Sequence, residues 1–429
     1  MFSEERFFTS TLKAHTSRGS ITRILASAFN AVESGIAVKK YLRGHPLPFS
    51  RRVFAFGLGK AACAMTQALA DTTELTDTLI VTKHASPLTV APVTVIEGDH
   101  PVPGMASMEA GKAAIKFASQ LTANDLLICL ISGGGSALMT APCVPLADLQ
   151  TLTFELLACG ARIDEINVLR RHLDQLKGGG LARLAASRGA HVVSLLLSDV
   201  VNASFEAIAS GPTAPDPTTC EDALSIIEKY DLKNKIPDSI ARSLQETLKP
   251  NDPIFDRVQN TVIASNEIAL LAAQSQARNE GFQTKITQAG VQGEAQMVGY
   301  DLACELKESS DTMPRPFCLL AGGETTVTLK GNGRGGRNQE LALAAVDVLA
   351  GLKNIMFITL ATDGEDGPTD AAGAVVTGET AQRAESLGMS AADHLSRNDA
   401  YSFFAAMDDL VKTGPSGTNV NDLVFCFAF

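Results

Sequence analysis

Short runs of Val, Ile, Leu and Phe recur along this chain between longer stretches in which apolar residues return every three to four positions. The short runs predict strands and the longer ones helices. Strands are expected at 53–56, 78–81, 93–96, 126–131 and 192–197, separated by helical pattern at 61–69, 105–119 and 149–159. This alternation predicts an α/β fold, with a Rossmann-like, doubly wound parallel sheet in the N-terminal domain. An apolar-faced helix over 20–40 precedes the first strand and is expected to cover one face of that sheet.

From 229 to 256 the chain turns polar, with Pro237, Pro250 and Pro253 punctuating helical pattern without a strand. The domain boundary is placed there, giving domains over 1–240 and 241–429. Strands of the second domain are expected at 261–264, 283–286, 317–320, 325–329, 355–360, 374–377 and 423–427. Several are too close together for a helical crossover, so this α/β domain should hold a mixed sheet.

A length of 429 residues agrees with two domains, because single cores rarely grow beyond about 250–300 residues. Apolar residues at 45% against 19% charged give enough burial for a globular chain. A net charge of −11, no Trp and 4 Tyr argue against a nucleic-acid partner, so any anionic substrate needs a locally basic pocket. Eight cysteines without a C-x-x-C pair read as reduced thiols, and no apolar run reaches the roughly 18 residues of a membrane span. The expectation is a cytoplasmic protein, monomer or homodimer, acting on small molecules.

The chemistry sits in loops. The first strand runs into Gly57-Leu58-Gly59-Lys60, where glycines let backbone approach a ligand and a helix start attracts an anion. The next strand ends in Thr82-Lys83-His84 instead of the acid that grips an NAD ribose. A tight turn with a solvent-facing lysine is the plainer alternative. The fourth strand runs into Ser132-Gly133-Gly134-Gly135-Ser136, whose N–H groups can form an anion nest, or a mere connector. Arg170, Asp174 and Lys177 share one helix face before three glycines, either facing a ligand or simply solvated. Asp199 follows the fifth strand, as a ligand-facing carboxylate or a helix N-cap, and Gly211 and Thr213 lie in the rigid loop beyond it.

In the second domain Arg337 and Asn338 start a helix after a glycine frame, a placement suited to clamping phosphate. Asp363 and Asp366 lie in the acidic turn Thr362-Asp363-Gly364-Glu365-Asp366-Gly367 and are the Mg²⁺ candidates, with a metal-free turn as the alternative.

In this order, G-L-G-K-A-A at 57–62, G-D-H-P-V-P at 98–103, S-G-G-G-S-A at 132–137, S-D-V at 198–200 and S-G-P-T at 210–213 resemble the class II glycerate 2-kinase family. So do A-G-G-E-T-T at 321–326, G-R-G-G-R-N-Q-E at 333–340, T-D-G-E-D-G-P-T-D at 362–370 and G-T-N-V-N-D at 417–422. The resemblance covers the whole chain and makes the second domain MOFRL-type. It implies transfer of the ATP γ-phosphoryl group to the 2-hydroxyl of D-glycerate with Mg²⁺, in a cleft between the domains. Lys60 and Arg337 become the principal catalytic groups. Asp199 would orient or deprotonate the hydroxyl. Ser132, Gly133, Gly134, Gly135, Ser136, Lys177, Gly211 and Thr213 would serve the nucleotide phosphates, and Gly57, Gly59, Arg170 and Asn338 the substrate. Members are also labelled hydroxypyruvate reductases, so an NAD(P)H-dependent reductase is the alternative, and a non-catalytic sugar-acid sensor a third.

Overall fold

A computed structural model describes residues 2–200 and 204–429. They fall into two compact units, one of residues 34–263 and one that joins residues 1–33 to 264–429.

The first unit is built on β1 (Arg52–Leu58), β2 (Asp77–Thr82), β3 (Thr94–Glu97), β4 (Asp125–Ile131), β5 (His191–Leu197) and β6 (Val258–Ala264). Their order in the sheet is β3-β2-β1-β4-β5-β6, the order of a doubly wound dinucleotide-type sheet. The β1/β2, β2/β3, β1/β4 and β4/β5 pairings are parallel. Every residue of β4 is buried, as a strand covered on both faces requires, which is why its sequence shows an unbroken apolar run. Phe54, Phe56, Leu127, Cys129 and Ile131 meet Phe117, Leu138, Leu181 and Leu196 in one core. Each such side chain contributes about 1.5–3 kcal/mol on burial. A satellite core of Leu149, Leu152, Leu169, Leu173, Ile226 and Ile240 holds the helix Ile163–His172, which carries Arg170.

The second unit holds β7 (Gln283–Glu294), β8 (Phe317–Thr326), β9 (Ile355–Ala361), β10 (Gly373–Thr377), β11 (Leu410–Val411) and β12 (Asp422–Ala428), in the order β11-β10-β9-β12-β8-β7. Only β7/β8 is parallel, so the sheet is mixed as expected. On one face Leu319, Phe357, Val424 and Cys426 pack with Leu302, Leu306, Leu341 and Val346 from the helices Ala295–Thr312 and Arg337–Leu349.

Three sequence expectations change. The strand expected at 261–264 is the end of β6, the edge of the first sheet, so the structure divides at 263/264 where the sequence placed 240/241. The strands at 317–320 and 325–329 are one strand, β8, ending at Thr326. The helix expected at 20–40 is two, Arg18–Val32 and Ser34–Gly44, separated at Glu33. The first half does not cover the N-terminal sheet. It lies on the helix Asn266–Asn279 of the second unit, tied by Arg23 to Glu280 at 2.7 Å and by Ser27 Oγ to the Ala272 carbonyl at 3.2 Å. Its buried stripe, Ile21, Ile24, Leu25, Phe29 and Val32, demands a partner, but a stripe does not say which one.

Candidate active site

In the first unit β1 and β4 are adjacent and their connections run to opposite sides, so the loops at their carboxyl ends open a crevice at the switch point of the sheet. Two backbone bonds knit these loops together: Lys60 N donates to the Gly133 carbonyl at 3.1 Å, and Ser132 N to the Leu58 carbonyl at 2.8 Å. Ser132 Oγ accepts from Ala61 N at 3.0 Å. Gly59 takes φ +112°, and a methyl there would fall 2.4 Å from the Ser132 carbonyl oxygen. The turn therefore needs glycine, and it leaves the Lys60 side chain exposed.

A methyl on Gly133 would fall 1.8 Å from Asp199 Oδ2, and one on Gly134 would lie 3.5 Å from Lys60 Cε and 3.6 Å from His100 Cδ2. Lys60, His100 and Asp199, from three loops, thus surround two bare glycines. Among the described residues Asp199 caps no helix, since the following one, Phe205–Ser210, has Ser204 at its cap. Burial holds the His100 imidazole below its ordinary pKa, and Lys60, Lys83 and Arg170 push the same way. It is neutral near pH 7, in a neighbourhood of positive charge.

Other expected residues turn out to build the wall. A methyl on Gly57 would meet Thr66 Oγ1 at 2.8 Å, and one on Gly135 would meet Ala209 Cβ at 2.7 Å, so both glycines permit close packing and do not line a substrate. Ser132 is 1% exposed, with its hydroxyl spent on the neighbouring loop. Gly211 is a left-handed turn whose carbonyl accepts from Gly179 N at 2.8 Å. Thr213 donates to Asn260 Oδ1 at 2.8 Å and anchors β6. Lys177 is buried, its ammonium bonded to Asp174 Oδ2 at 2.6 Å and the Met139 carbonyl at 3.0 Å. Burial lowers its pKa and Asp174 counters that, so this lysine serves the interior and not a phosphate. Ser136 remains half-buried, linked to Ser210 Oγ at 2.8 Å, which donates to Asn167 Oδ1 at 3.1 Å.

In the second unit Arg337 opens the helix Arg337–Leu349. Its Nη1 donates to Glu324 at 2.5 Å and its Nη2 to Asp422 Oδ1 at 3.2 Å. Nε lies 2.6 Å from Asp422 Oδ2, an ionic contact without hydrogen-bond alignment. Burial pulls the guanidinium pKa down, but Asp422 and Glu324 more than reverse it. Burial pushes the Asp422 carboxyl up to about 7, against the opposing pull of Arg337.

Of the two metal candidates, Asp366 is already engaged by the protein. Asp366 Oδ1 accepts from Asn338 N at 3.0 Å, and its Oδ2 from Gln339 N at 2.8 Å and Gln339 Nε2 at 3.0 Å. It caps the helix start and has no coordination to spare. Burial nonetheless raises its pKa, which these donors offset in part. Asn338 is fully buried in the same network. Asp363 Oδ1 accepts from Glu365 N at 3.1 Å in a turn. Among the described residues only His172, Cys220 and Glu246 bring three possible ligand atoms together. There His172 Nδ1 donates to the Gln245 carbonyl at 2.7 Å, so its lone pair is not offered to a metal.

His100, Glu324 and Asp422 were not singled out from the sequence, although each lies inside a motif quoted there. Their types gave no signal, since a lone His, or a lone acid in a turn or at a strand end, is usually structural.

A doubly wound sheet with a lysine and bare glycines at its switch point, and a separate unit with an arginine at a helix start, define a phosphate-handling α/β protein. A family model described as a domain of unknown function, DUF4147, matches residues 20–245, and the MOFRL family model matches 317–422. A glycerate 2-kinase of Pyrococcus horikoshii is 38% identical over 416 residues, covering 93% of each chain. A crystal structure of glycerate kinase from Thermotoga maritima matches with a TM-score of 0.88 at 37% identity, over 96% of this chain and 99% of that one. An Agrobacterium vitis protein bearing a hydroxypyruvate reductase name is 36% identical over 420 residues, covering 95% of this chain and 94% of its own. The chain belongs to the class II glycerate kinase family.

Proposed function

We propose that this protein transfers the γ-phosphoryl group of ATP to the 2-hydroxyl of D-glycerate, giving 2-phosphoglycerate and ADP. The observation that carries the reading is the exposed Lys60 facing Gly134, with Asp199 against the neighbouring Gly133. Phosphoryl transfer asks a protein chiefly for positioning and for positive charge around the transferring oxygens. Each unit offers one such cation, Lys60 in the first and Arg337 in the second. Gly134 offers backbone without close side-chain obstruction, Gly133 makes room for the Asp199 carboxylate, and Asp199 orients or accepts the proton of the attacking hydroxyl. The relatives' names support glycerate as acceptor. The acidic turn offers no pair of free carboxylates, so Mg²⁺ enters as part of the substrate MgATP. Among the described residues no helix is long and apolar enough to cross a membrane. All eight thiols are unpaired, as in a reducing cytoplasm, where we place the enzyme. The reductase reading is weaker, because β2 ends in Thr82-Lys83 with no acid to hold a nicotinamide ribose.

The test is purified protein with D-glycerate and MgATP, followed by ADP release and by phosphorus NMR to tell the 2-phosphate from the 3-phosphate. Parallel runs contain hydroxypyruvate with NADH or NADPH. We expect stoichiometric ADP and 2-phosphoglycerate, and a loss of turnover of roughly 10²-fold or more in K60A and R337A. Reductase turnover without ADP would refute the kinase reading.

A further inference from the structure

Three cations follow one another around the end of the helix Ile163–His172, Arg171 and Lys177 buried and Arg170 half-buried, and two have a carboxylate. Arg171 Nε lies 2.9 Å from Asp216, and Lys177 is bonded to Asp174 at 2.6 Å. Arg170 has no ion-pair partner among the described residues. Its Nε is buried without an acceptor, and its Nη1 reaches only the neutral Asn167 Oδ1 at 3.5 Å, the limit of a hydrogen bond. A half-buried guanidinium left unpaired is expensive, and unsatisfied buried groups in a native protein point to a missing partner. Desolvation lowers the pKa of Arg170 with nothing opposing it.

Arg170 lines a narrow recess together with Ser136, Thr140, Asp174, Lys177 and Pro103. Two cations there face one carboxylate, so the recess favours one further negative charge. The Ser136 hydroxyl that edges it belongs to the same glycine loop as Gly133 and Gly134.

We propose that the Arg170 guanidinium, at the edge of this recess, is the counter-ion of the acceptor's carboxylate. The assignment rests on the glycerate reading and deepens it. It makes Arg170 the residue that selects hydroxy acids over neutral polyols, while Lys60 serves the transferring phosphate. His100, close enough to Arg170 to feel its charge, lies on the Gly134 side of the same neighbourhood.

The experiment compares wild type with R170K, R170Q and R170M, each checked by thermal unfolding, and fits KM separately for D-glycerate and ATP. A lost charge-assisted hydrogen bond predicts a D-glycerate KM raised roughly 10–10²-fold in R170M and R170Q. R170K should fall between, the ATP KM should stay within a few fold, and added guanidinium ion should restore part of the R170M loss. In wild type, propionate should inhibit competitively against D-glycerate and not against ATP, a readout that needs no folded variant. An unmoved D-glycerate KM, a raised ATP KM in its place, or no competition by propionate overturns the assignment. Absence of wild-type turnover with D-glycerate would instead overturn the glycerate reading, so the two failures are separable.

Discussion

Lys177 and Asp174 are each about 3% exposed at the side chain and lie 2.6 Å apart, inside a wall that the sequence alone offered as phosphate-binding. Removing one partner of such a pair strands the other charge, at a cost of about 3–5 kcal/mol, whereas replacing both with apolar groups is close to neutral. K177M should therefore lose about that much stability in urea unfolding, and K177M combined with D174L should regain most of it. A K177M protein of undiminished stability and lowered ATP affinity would return Lys177 to the nucleotide. Asp422 poses a different residue-scale question. It contacts Arg337 through both oxygens, and that contact needs its ionised form. With its carboxyl pushed up to about 7, it is ionised above that pH and increasingly neutral below it. The catalytic rate should therefore fall as pH drops through about 7, an acid limb visible in the pH profile of kcat. In D422N that limb should vanish and the plateau should be lower, because Asn still orients the guanidinium but carries no charge. A limb that persists in D422N assigns the titration to another group.

At the scale of elements, the strands were legible because parallel strands at the centre of a sheet are buried on both faces. Residues 126–131 read as one apolar run, and β4 spans Asp125–Ile131. The loops after β1 and β4 were legible for a related reason, since Gly59 at φ +112° and Gly134 at φ +86° serve backbone paths that few other residues adopt. Which glycines face a ligand was not legible. Gly57 and Gly135 are excluded from ligand contact by packing neighbours contributed by Thr66 and Ala209, and spacing along the chain does not encode those contacts. The role of Asp366 in the acidic turn at 362–367 was hidden for a similar reason. Asp366 caps a helix that begins 29 positions earlier in sequence, at Arg337, a long-range bond with no local signature. Arg170 was legible as a charged residue on a helix face, but its lack of a carboxylate emerges only once the neighbouring cations are seen to have theirs.

At the scale of the whole chain, the unit of residues 34–263 is continuous in sequence and the other is not. A fragment covering 34–263 should therefore fold alone, with a cooperative thermal transition. A fragment of 264–429 should fold poorly, because the helix Asn266–Asn279 would lose the buried stripe of Arg18–Val32 that covers it. Adding residues 1–33 as a separate peptide should restore amide protection in 266–279, read by hydrogen exchange. Equal stability of 264–429 with and without the peptide would refute this division.

The Arg18–Val32 helix also has a history on the ribosome. Its apolar side, with Ile21, Ile24, Leu25 and Phe29, is synthesised more than 230 residues before the helix that receives it. At translation rates of about 5–20 residues per second it waits on the order of 10–50 s, while the intervening unit emerges and completes itself. During that interval the nascent chain presents a greasy N-terminal segment to whatever binds such surfaces, and the arrival of the helix Asn266–Asn279 decides when it is sheltered.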